Sequence, residues 1–539
     1  MKDISSTGSF INFYLNNYIY VDKTKYIRDL IKLERVFISR PRRFGKSLTL
    51  DTIATLFETG VEPYFKGTWI YDKWTEPTYP VLRLNFLDLD KYSLEHFKQK
   101  LNAIISSFAR DINVKNYEEK VEPEDTIYFL LDELRKEKRQ IVILIDEYDC
   151  QMTANINNET LYKQFHEKIK SFYATIKNKW AIKFLGITGV TRLKDVEIFS
   201  IGSDIKDITN YSPYSQMIGF SRDEIKKYYI DYLKLAASCE NNCSVDKVTE
   251  AQIESLLDRL AKNYDGYCFD EDYEKKVFST WSVNTFLQSV VDKKKVQFGE
   301  YWYDNGGVPK ILSDFVKNNE QELFDCILKG KFISVPTSDL KFPPSLISIN
   351  PKVLMCQTGY LTLCSNLKYF EMLLGVPNSE IYKALSRLLA NNIFKGNTDI
   401  TDDYGRSLLE VGTVEDIINL FNSALNSVSY DNYPIVSESS VQNMLKLYLL
   451  GAHQKVLSEV HEAKGRADLV VNTDNRRIVF EFKYAKNETE AKSKLLDAVE
   501  QIKTRDYGNI VPKKTELLRI AAVFNADPKV RAFTEYQEV

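Results

Sequence analysis

The segment from Val36 to Ser47 constrains the fold of this chain more than any other. It begins with an apolar run, passes into a loop that closes on Gly45, Lys46 and Ser47, and is followed by a helical pattern over residues 48–59. The order strand, loop, helix with Gly-Lys-Ser at its end is typical of a phosphate-binding P-loop. In such a loop the backbone N–H groups surround the phosphates, the ammonium contacts the outer phosphates and the hydroxyl binds Mg²⁺. The residues predicted to bind a nucleotide are Arg43, Phe44, Gly45, Lys46, Ser47 and Leu48.

One position departs from the general P-loop pattern, because Arg40 stands where that pattern has glycine. The alternative interpretation of the segment is a basic turn that precedes a helix. A second segment, Gln140–Glu147, argues for the P-loop because it is a short, β-branched apolar run that ends in two carboxylates. Such a run is typical of a buried parallel strand.

The two carboxylates have separate predicted roles. Asp146 lies at the carboxyl end of the strand, where open α/β sheets bind ligands. It would hold the Mg²⁺ that Ser47 shares, and Glu147 is the candidate base for the attacking water. A guanine-specific Asn-Lys-x-Asp motif was not found, which favours ATP over GTP. The alternative is a buried strand that ends in acidic residues by chance.

Strands and helices alternate up to about residue 215, which predicts a parallel, doubly wound sheet. The run from Trp180 to Thr188 is another buried strand of this sheet. Thr188 and Thr191 at its end are candidates to contact a γ-phosphate, and Arg192 is a candidate to stabilise the transition state. Ordinary polarity at a strand end is the alternative for all three.

Composition narrows the class of protein. The chain has 539 residues, which is too long for one core and predicts two to four domains. We expect a cytoplasmic protein without a membrane segment, because no apolar run approaches the roughly 18 residues of a span and the seven cysteines are scattered. With only four histidines, the chain offers few candidates for Ser-His-Asp or Cys-His catalysis. A net charge of −3 does not indicate a nucleic-acid binder, although a local basic groove is sufficient for one.

The middle of the chain, residues 216–428, has mostly helical periodicity and is predicted to be a lid or connector. Two glycine-centred, aromatic-rich breaks interrupt it, Tyr264–Phe269 and Gln357–Thr362. No catalytic group of residues is evident in this region.

The last part of the chain predicts a helix over 437–450 and then three strands. Side chains alternate along a strand, so Glu481 and Lys483 share a face with Val479. With a turn centred near residues 473–474, Asp468 is expected opposite Val479 and one diagonal step from Glu481. Two carboxylates and a lysine on one patch suit a divalent metal that activates water. The alternative is a plain salt bridge between Glu481 and Lys483.

The spacing Asp468…Glu481-Phe-Lys483 resembles the signature of PD-(D/E)XK nucleases. The whole chain resembles bacterial and archaeal AAA-ATPase-like proteins that carry this nuclease domain at the carboxyl terminus. The segments that carry the resemblance are Tyr20–Thr24, Arg40–Ser47, Leu144–Asp149, Thr188–Val190, Gly465–Asp468 and Glu481–Tyr484.

The resemblance assigns further roles. It implies that Arg40 in place of glycine is compatible with ATP binding. It matches Glu438 to the nuclease helix glutamate, Glu459 to a strand carboxylate and Gln501 to a helix glutamine. Cys150 departs from the family, which often has proline there.

The expected fold class is therefore α/β, with a P-loop NTPase domain at 1–215, a helical connector at 216–428 and a restriction-endonuclease-like domain at 429–539. We expect an ATPase coupled to a nuclease that uses Mg²⁺ or Mn²⁺ on Asp468 and Glu481, and Lys483 beside them. We expect DNA in preference to RNA as the substrate, and a homo-oligomer is the candidate assembly. The candidate phosphate contacts are Arg476, Arg477, Lys483, Lys486, Lys492, Lys494, Lys503 and Arg505, with solvated helix faces as the alternative.

Two other functions stay open from the sequence. One is a nucleotide-dependent switch that does not cleave and whose last domain binds a nucleic acid or a protein. The other is an ATPase motor that assembles as a ring on DNA. Intact Asp468, Glu481 and Lys483 favour the nuclease over the switch.

Overall fold

A computed structural model describes the chain over residues 1–177, 179–193, 204–304, 315–341, 343, 345–367, 370–394, 404–452, 455–462, 465–473, 475–507 and 516–539. The chain forms two compact units, Met1–Gly307 with Phe332–Ile381 and Val308–Lys331 with Tyr382–Val539. Within the described residues, no helix is long and apolar enough to cross a membrane. The three-domain division stays a prediction.

The helices are, in chain order, α1 Phe10–Leu15, α2 Thr24–Leu30, α3 Lys46–Thr59, α4 Leu94–Asp111, α5 Pro123–Lys136, α6 Cys150–Ala154, α7 Glu159–Ile176, α8 Arg222–Tyr228, α9 Ile230–Asn241, α10 Glu250–Tyr264, α11 Thr280–Lys293, α12 Tyr301–Asp304, α13 Glu320–Lys329, α14 Thr337–Lys341, α15 Pro351–Gln357, α16 Ser379–Ile393, α17 Tyr404–Val411, α18 Val414–Asn426, α19 Glu438–Gly451 and α20 Glu488–Arg505. The strands are β1 Arg35–Ser39, β2 Val81–Asn85, β3 Ile141–Asp146, β4 Ile182–Gly189, β5 Lys206–Asp207, β6 Tyr267–Cys268, β7 Lys276–Val277, β8 Ile333–Pro336, β9 Thr362–Leu367, β10 Glu371–Gly375, β11 Lys455–Glu462, β12 Gly465–Asn472, β13 Arg476–Ala485, β14 Glu516–Asn525 and β15 Ala532–Glu538.

The first unit is built on a five-stranded sheet in the order β2-β3-β4-β1-β5. Every pairing in it is parallel, which confirms the predicted α/β sheet. Strand β1 is buried along its whole length, and β3 is buried up to Asp146 at its tip. A sheet covered on both faces requires such continuous apolar strands. The carboxyl ends of β1, β3 and β4 therefore meet at one edge.

A helical core follows within the same unit. Helices α8 to α11 bury a shared cluster that includes Ile225, Leu233, Leu257 and Phe286. Strands that the sequence did not predict also occur here, in an antiparallel sheet of order β8-β10-β9 and in the pair β6-β7.

The second unit contains a five-stranded sheet in the order β11-β12-β13-β14-β15. Only the β13–β14 pairing is parallel among these described strands, and α20 supplies the crossover between them. Val470 and Val479 pack against Ala498 and Ile502 of that helix. This arrangement confirms the predicted α/β domain at the carboxyl end.

The predicted register between β12 and β13 is wrong by two residues. Val470, and not Asp468, lies opposite Val479, and Leu469 lies opposite Phe480. The turn lies one residue further along the chain than predicted, since Thr473 N–H donates to the Arg476 carbonyl and Asn472 pairs with Arg477. A shift of two preserves which face each side chain takes. Asp468 therefore stays on the face of Glu481 and lies closer to it than predicted.

Candidate active sites

The loop between β1 and α3 has the backbone of a phosphate-binding loop. Gly45 has φ +104° and Arg43 has φ +66°, both in the left-handed region that glycine adopts without strain. Helix α3 begins immediately afterwards at Lys46. The Lys46 side chain is 4% exposed, and its Nζ donates to the carbonyls of Arg40 at 3.1 Å and Pro41 at 3.2 Å. The loop thus curls around the ammonium at the start of a helix, where anions bind favourably.

The predicted magnesium residues lie together at the edge of the sheet. Ser47 Oγ donates to Asp146 Oδ2 at 2.6 Å, although the two residues are 99 positions apart. Thr188 Oγ1, at the end of the neighbouring strand, donates to Asp146 Oδ1. A carboxylate and a hydroxyl are hard oxygen donors that suit Mg²⁺. The structure therefore brings Ser47, Asp146 and Thr188 into one group.

Glu147 lies beside the lysine of the loop. Its Oε1 is 3.5 Å from Lys46 Nζ, and its backbone takes φ +52° just after β3. Burial raises the pKa of the Glu147 carboxyl above its usual range, while the Lys46 charge opposes that effect. A carboxyl with a raised pKa next to the phosphate loop is suited to accept a proton from water.

A cavity of about 360 Å³ opens onto this loop. One side of it is formed by residues 43–49 and Glu147, and the other by parts of the chain that the sequence analysis did not assign to a site. The unassigned lining residues include Ser5, Ser6, Thr7, Gly8, Tyr20, Tyr229 and Asn284. The only signal for them was the segment Tyr20–Thr24, which carried part of the family resemblance.

Two of the candidate residues after β4 have other partners. Thr191 donates its N–H and its hydroxyl to Asp149 Oδ2 at 2.7 and 2.5 Å. Arg192 forms an ion pair with Asp207 and lines a second, smaller cavity. Neither residue lines the cavity at the P-loop.

The helical part of the first unit contacts the P-loop, and two of its residues, Thr280 and Trp281, also line the cavity. Trp302 Nε1 donates to the Arg42 carbonyl at 3.1 Å, and Thr280 Oγ1 donates to the Arg43 carbonyl at 2.8 Å. The Arg43 guanidinium also lies over the Trp281 ring at 4.9 Å. These contacts tie two carbonyls of the loop to the helical region.

A second group of charged residues lies in the second unit, on β12, β13 and the first turn of α19. Glu438, Asp468 and Glu481 each offer one carboxylate oxygen, and these three atoms lie within 4.8 Å of one another. Asp468 Oδ2 also accepts the N–H of Phe482 at 2.8 Å. Lys483 Nζ donates to Glu481 Oε1 at 2.8 Å and to Glu438 Oε1 at 3.3 Å.

This group fits a divalent cation. Glu481 is 0% exposed, and its Oε2 has no hydrogen-bond partner among the described residues. A buried carboxylate oxygen without a partner is costly, and a metal ion removes that cost. Three carboxylates are hard oxygen donors of the kind that Mg²⁺ and Mn²⁺ take.

The same surroundings shift the pKa values of Glu481 and Lys483. Burial, followed by the charge of Asp468, raises the pKa of the Glu481 carboxyl to about 7, and the hydrogen bond from Lys483 opposes this rise. Burial lowers the pKa of Lys483, but its hydrogen bond and charge interaction with Glu481 outweigh burial, so the net shift is upward. Lys483 is therefore a cation at neutral pH beside a carboxyl that titrates there.

The family resemblance added Glu438, Glu459 and Gln501 to the nuclease site, and among the described residues only Glu438 is seen to join the carboxylate group. Gln501 Nε2 donates to the Tyr507 hydroxyl at 3.3 Å, and this hydroxyl donates to the Arg466 carbonyl. Glu459 lies on β11, and its side chain is outside the described part of the structure.

The candidate phosphate contacts do not form one exposed set. Arg476 is 8% exposed and makes a two-point ion pair with Glu516, so it is not available to a phosphate. Arg476 was predicted to contact a phosphate because of its charge alone, and the sequence did not reveal that it is buried. Lys492 and Lys494 pair with Glu488 and Glu490 along α20, as solvated helix faces do.

Two family models match this chain. Residues 5–199 match the family described as Predicted AAA-ATPase, and residues 436–533 match the PD-(D/E)XK nuclease superfamily. The two domains expected from the resemblance are thereby confirmed.

A related protein and two solved structures extend the comparison. The Uncharacterized protein in vnfD 5'region of Azotobacter chroococcum mcd 1 is 25% identical over 533 residues, covering 95% of this chain and 94% of that protein. The crystal structure of Cdc6p from Pyrobaculum aerophilum is 11% identical, covers 68% of this chain and 93% of its own, and has a TM-score of 0.22. The Aeropyrum pernix ORC1 protein in complex with DNA is 10% identical, covers 72% and 97%, and has a TM-score of 0.28. Scores this low do not relate the folds in detail.

Proposed function

We propose that this chain, with its AAA-ATPase-like domain at residues 5–199 and its PD-(D/E)XK nuclease-superfamily domain at 436–533, hydrolyses ATP and cleaves DNA with a divalent metal. The observation that carries the nuclease is the convergence of Glu438, Asp468 and Glu481 within 4.8 Å, with Lys483 bonded to two of them. DNA is the proposed substrate, and RNA is the less favoured one.

The ATPase proposal rests on the P-loop edge. Backbone N–H groups at the start of α3 and the Lys46 ammonium would bind the phosphates of ATP. Ser47 and Asp146, 2.6 Å apart, would hold Mg²⁺, which neutralises phosphate charge. Thr188 fixes the Asp146 carboxylate by hydrogen bonding and would sense the γ-phosphate. Glu147 would orient the attacking water and accept its proton.

At the nuclease site each residue has a separate part. Asp468 and Glu481, helped by Glu438, would hold Mg²⁺ or Mn²⁺. The ion supplies a Lewis acid and lowers the pKa of the water that attacks phosphorus. Lys483 would orient this water and stabilise the negative charge that develops on the phosphate. The hydrogen bond from Phe482 N–H holds the Asp468 carboxylate in place.

Two kinds of observation support a nucleic-acid substrate. The superfamily match is to nucleases, and Lys483 presents a positive charge at the acidic group. Arg505 at the end of α20 feels the charges of Glu481 and Asp468, and it donates to the Tyr507 hydroxyl at 2.9 Å. It would contact the phosphate next to the scissile one.

The second candidate function is a nucleotide-dependent switch that binds nucleic acid without cutting it. One observation favours it, since Lys483 already satisfies one oxygen of Glu481 as a salt bridge would. The unpartnered Glu481 Oε2 favours the metal-dependent nuclease instead.

Separate variants of the two sites test the proposal on the full chain. We expect Lys46→Met to lose ATP hydrolysis and Glu481→Gln to lose DNA cleavage, while Glu481→Gln retains ATP hydrolysis. Loss of both activities in Glu481→Gln with an unchanged melting curve would contradict two separate sites. Absence of cleavage by the unaltered chain, with ATP hydrolysis intact, would favour the switch.

A further inference from the structure

A second cavity, of about 40 Å³, lies in the first unit at the beginning of the P-loop. It joins the start of the P-loop to two segments that have no part in the proposed reactions. Arg40 starts the P-loop, and the two glycine-centred breaks in the helical region contribute Cys268 and Gln357. Arg192, which has no contact with the nucleotide cavity, also lines this space.

Arg40 is the unusual member of this lining. It is 1% exposed, and its Nη1 donates to the carbonyls of Ser39 at 2.9 Å and Thr209 at 2.5 Å. Its Nε and Nη2 have no hydrogen-bond partner among the described residues. A guanidinium carries five N–H donors, so three of them lack an acceptor there. Buried donors without acceptors are rare because each costs free energy.

Arg40 forms no ion pair with a carboxylate among the described residues. Asp207, whose charge acts on Arg40, forms its ion pair with Arg192. The Arg40 guanidinium therefore has no carboxylate of its own in this part of the chain. The Phe269 ring, 4.2 Å from the Arg40 guanidinium, offers a weak partner for it. A buried positive charge normally has an anionic partner.

We propose that this cavity binds one small monovalent anion, of the size and charge of chloride, on Nε and Nη2 of Arg40. The space exceeds the roughly 10–15 Å³ that a water molecule needs and is far smaller than a nucleotide. Water would satisfy the donors but would supply no negative charge to the buried guanidinium.

The anion would also support the nucleotide site. The Arg40 carbonyl accepts from Lys46 Nζ, and the Arg40 N–H donates to the Gly189 carbonyl. Arg40 stands where the general pattern has glycine, so its side chain adds a fixed point that glycine lacks. An anion held by that side chain stabilises the first turn of the P-loop.

Bromide replaces chloride and is visible by anomalous scattering, which makes it the probe for the test. In crystals of the full chain grown in bromide, we expect an anomalous peak about 3.5 Å or less from Arg40 Nη2. We also expect the melting temperature of the full chain to be roughly 2 °C higher in chloride than in gluconate at equal ionic strength.

Three variants separate a specific site from a general salt effect. Arg40→Gln removes the charge, and Cys356→Leu fills the cavity while Arg40 remains. Both are expected to melt at the same temperature in the two salts, whereas Cys239→Leu, outside the cavity, keeps the difference. If Arg40→Gln does not fold, the melting of Cys356→Leu in the two salts and the bromide crystals test the anion site without it. Water alone at Arg40, or a bromide peak without any chloride-dependent melting, would overturn the proposal, the latter indicating an adventitious ion only.

Discussion

Glu481 and Lys483 lie two residues apart on β13 and form an ion pair of 2.8 Å in which the carboxylate is completely buried. Only one of the two Glu481 oxygens takes part, and the other has no partner among the described residues. Burying such an ion pair costs free energy, because both charged groups lose their contact with water. The cost is explained when the second oxygen binds a cation together with Asp468 and Glu438.

Replacing Glu481 with glutamine should remove most of the metal affinity. Glutamine keeps the size of the side chain but loses the negative charge, so we expect Mn²⁺ to bind at least about tenfold more weakly. Calorimetric titration with Mn²⁺ measures this directly. Glu488→Gln, an exposed glutamate that pairs with Lys492 on α20, is the matched control and should bind as the unaltered chain does. Equal affinity in both variants would exclude Glu481 as a ligand.

Metal binding should depend on pH through Glu481. Its folded pKa of about 7 lies above its usual value, so the metal-free folded chain holds a proton that the unfolded chain has released between pH 4.5 and 7. The contribution of this group to stability is therefore present at low pH and is lost as the pH rises through 7. A cation competes with this proton, so its affinity changes in the opposite direction.

We accordingly expect Mn²⁺ to bind about tenfold more weakly at pH 6 than at pH 8, because the ionised fraction of a group with a pKa near 7 falls by that factor. Titrations at the two pH values check this expectation. Any residual affinity of Glu481→Gln should vary less with pH. An affinity that stays constant from pH 6 to pH 8 in the unaltered chain would show that Glu481 is already ionised.

Ser47→Ala should separate nucleotide binding from its dependence on magnesium. The hydroxyl that donates to Asp146 at 2.6 Å is lost, while the Lys46 ammonium and the loop N–H groups remain. We expect ATP to bind in the absence of Mg²⁺ as before, but to gain little affinity when Mg²⁺ is added. A fluorescent ATP analogue titrated with and without Mg²⁺ gives both values. Thr59→Ala, at the far end of the same helix, should keep the full magnesium effect.

Trp302→Phe should weaken ATP binding although Trp302 does not line the nucleotide cavity. The substitution keeps an aromatic ring but removes the Nε1 donor to the Arg42 carbonyl. Loss of one such bond corresponds to roughly a two- to tenfold change in an equilibrium constant. We expect the KM for ATP to rise by about that factor while kcat changes little. Trp69→Phe, at a more exposed tryptophan, should leave both constants unchanged.

The nucleotide site could be predicted where a signal is local. The strand, loop and helix around Lys46 occupy one short segment, and Asp146 ends a run whose burial is evident from its residues. The contribution of Ser5–Gly8 and Asn284 to the cavity could not be predicted, because distant parts of the chain bring them there. Strand β8 was also missed, since it is short and ends in Pro336 at the edge of its sheet.

The carboxylate site was predicted in kind but not in register. The shared face of Asp468 and Glu481 was predicted correctly, because the register differs from the expected one by two residues and such a shift preserves the face. The position along the strand was not, because the turn forms one residue further along the chain than residues 473–474 suggested. Arg476 shows a different limit, because its burial against Glu516 depends on the pairing of β13 with β14.

The group around Glu481 is proposed to cleave DNA with a divalent metal, and this proposal is the one most in need of a test. The most direct test is Mn²⁺-dependent cleavage of single- and double-stranded DNA by the full chain and by Glu481→Gln, each with and without ATP. We expect cleavage by the full chain and none by Glu481→Gln under any condition. Equal cleavage by both proteins, or none by either while ATP is hydrolysed, would contradict this proposal.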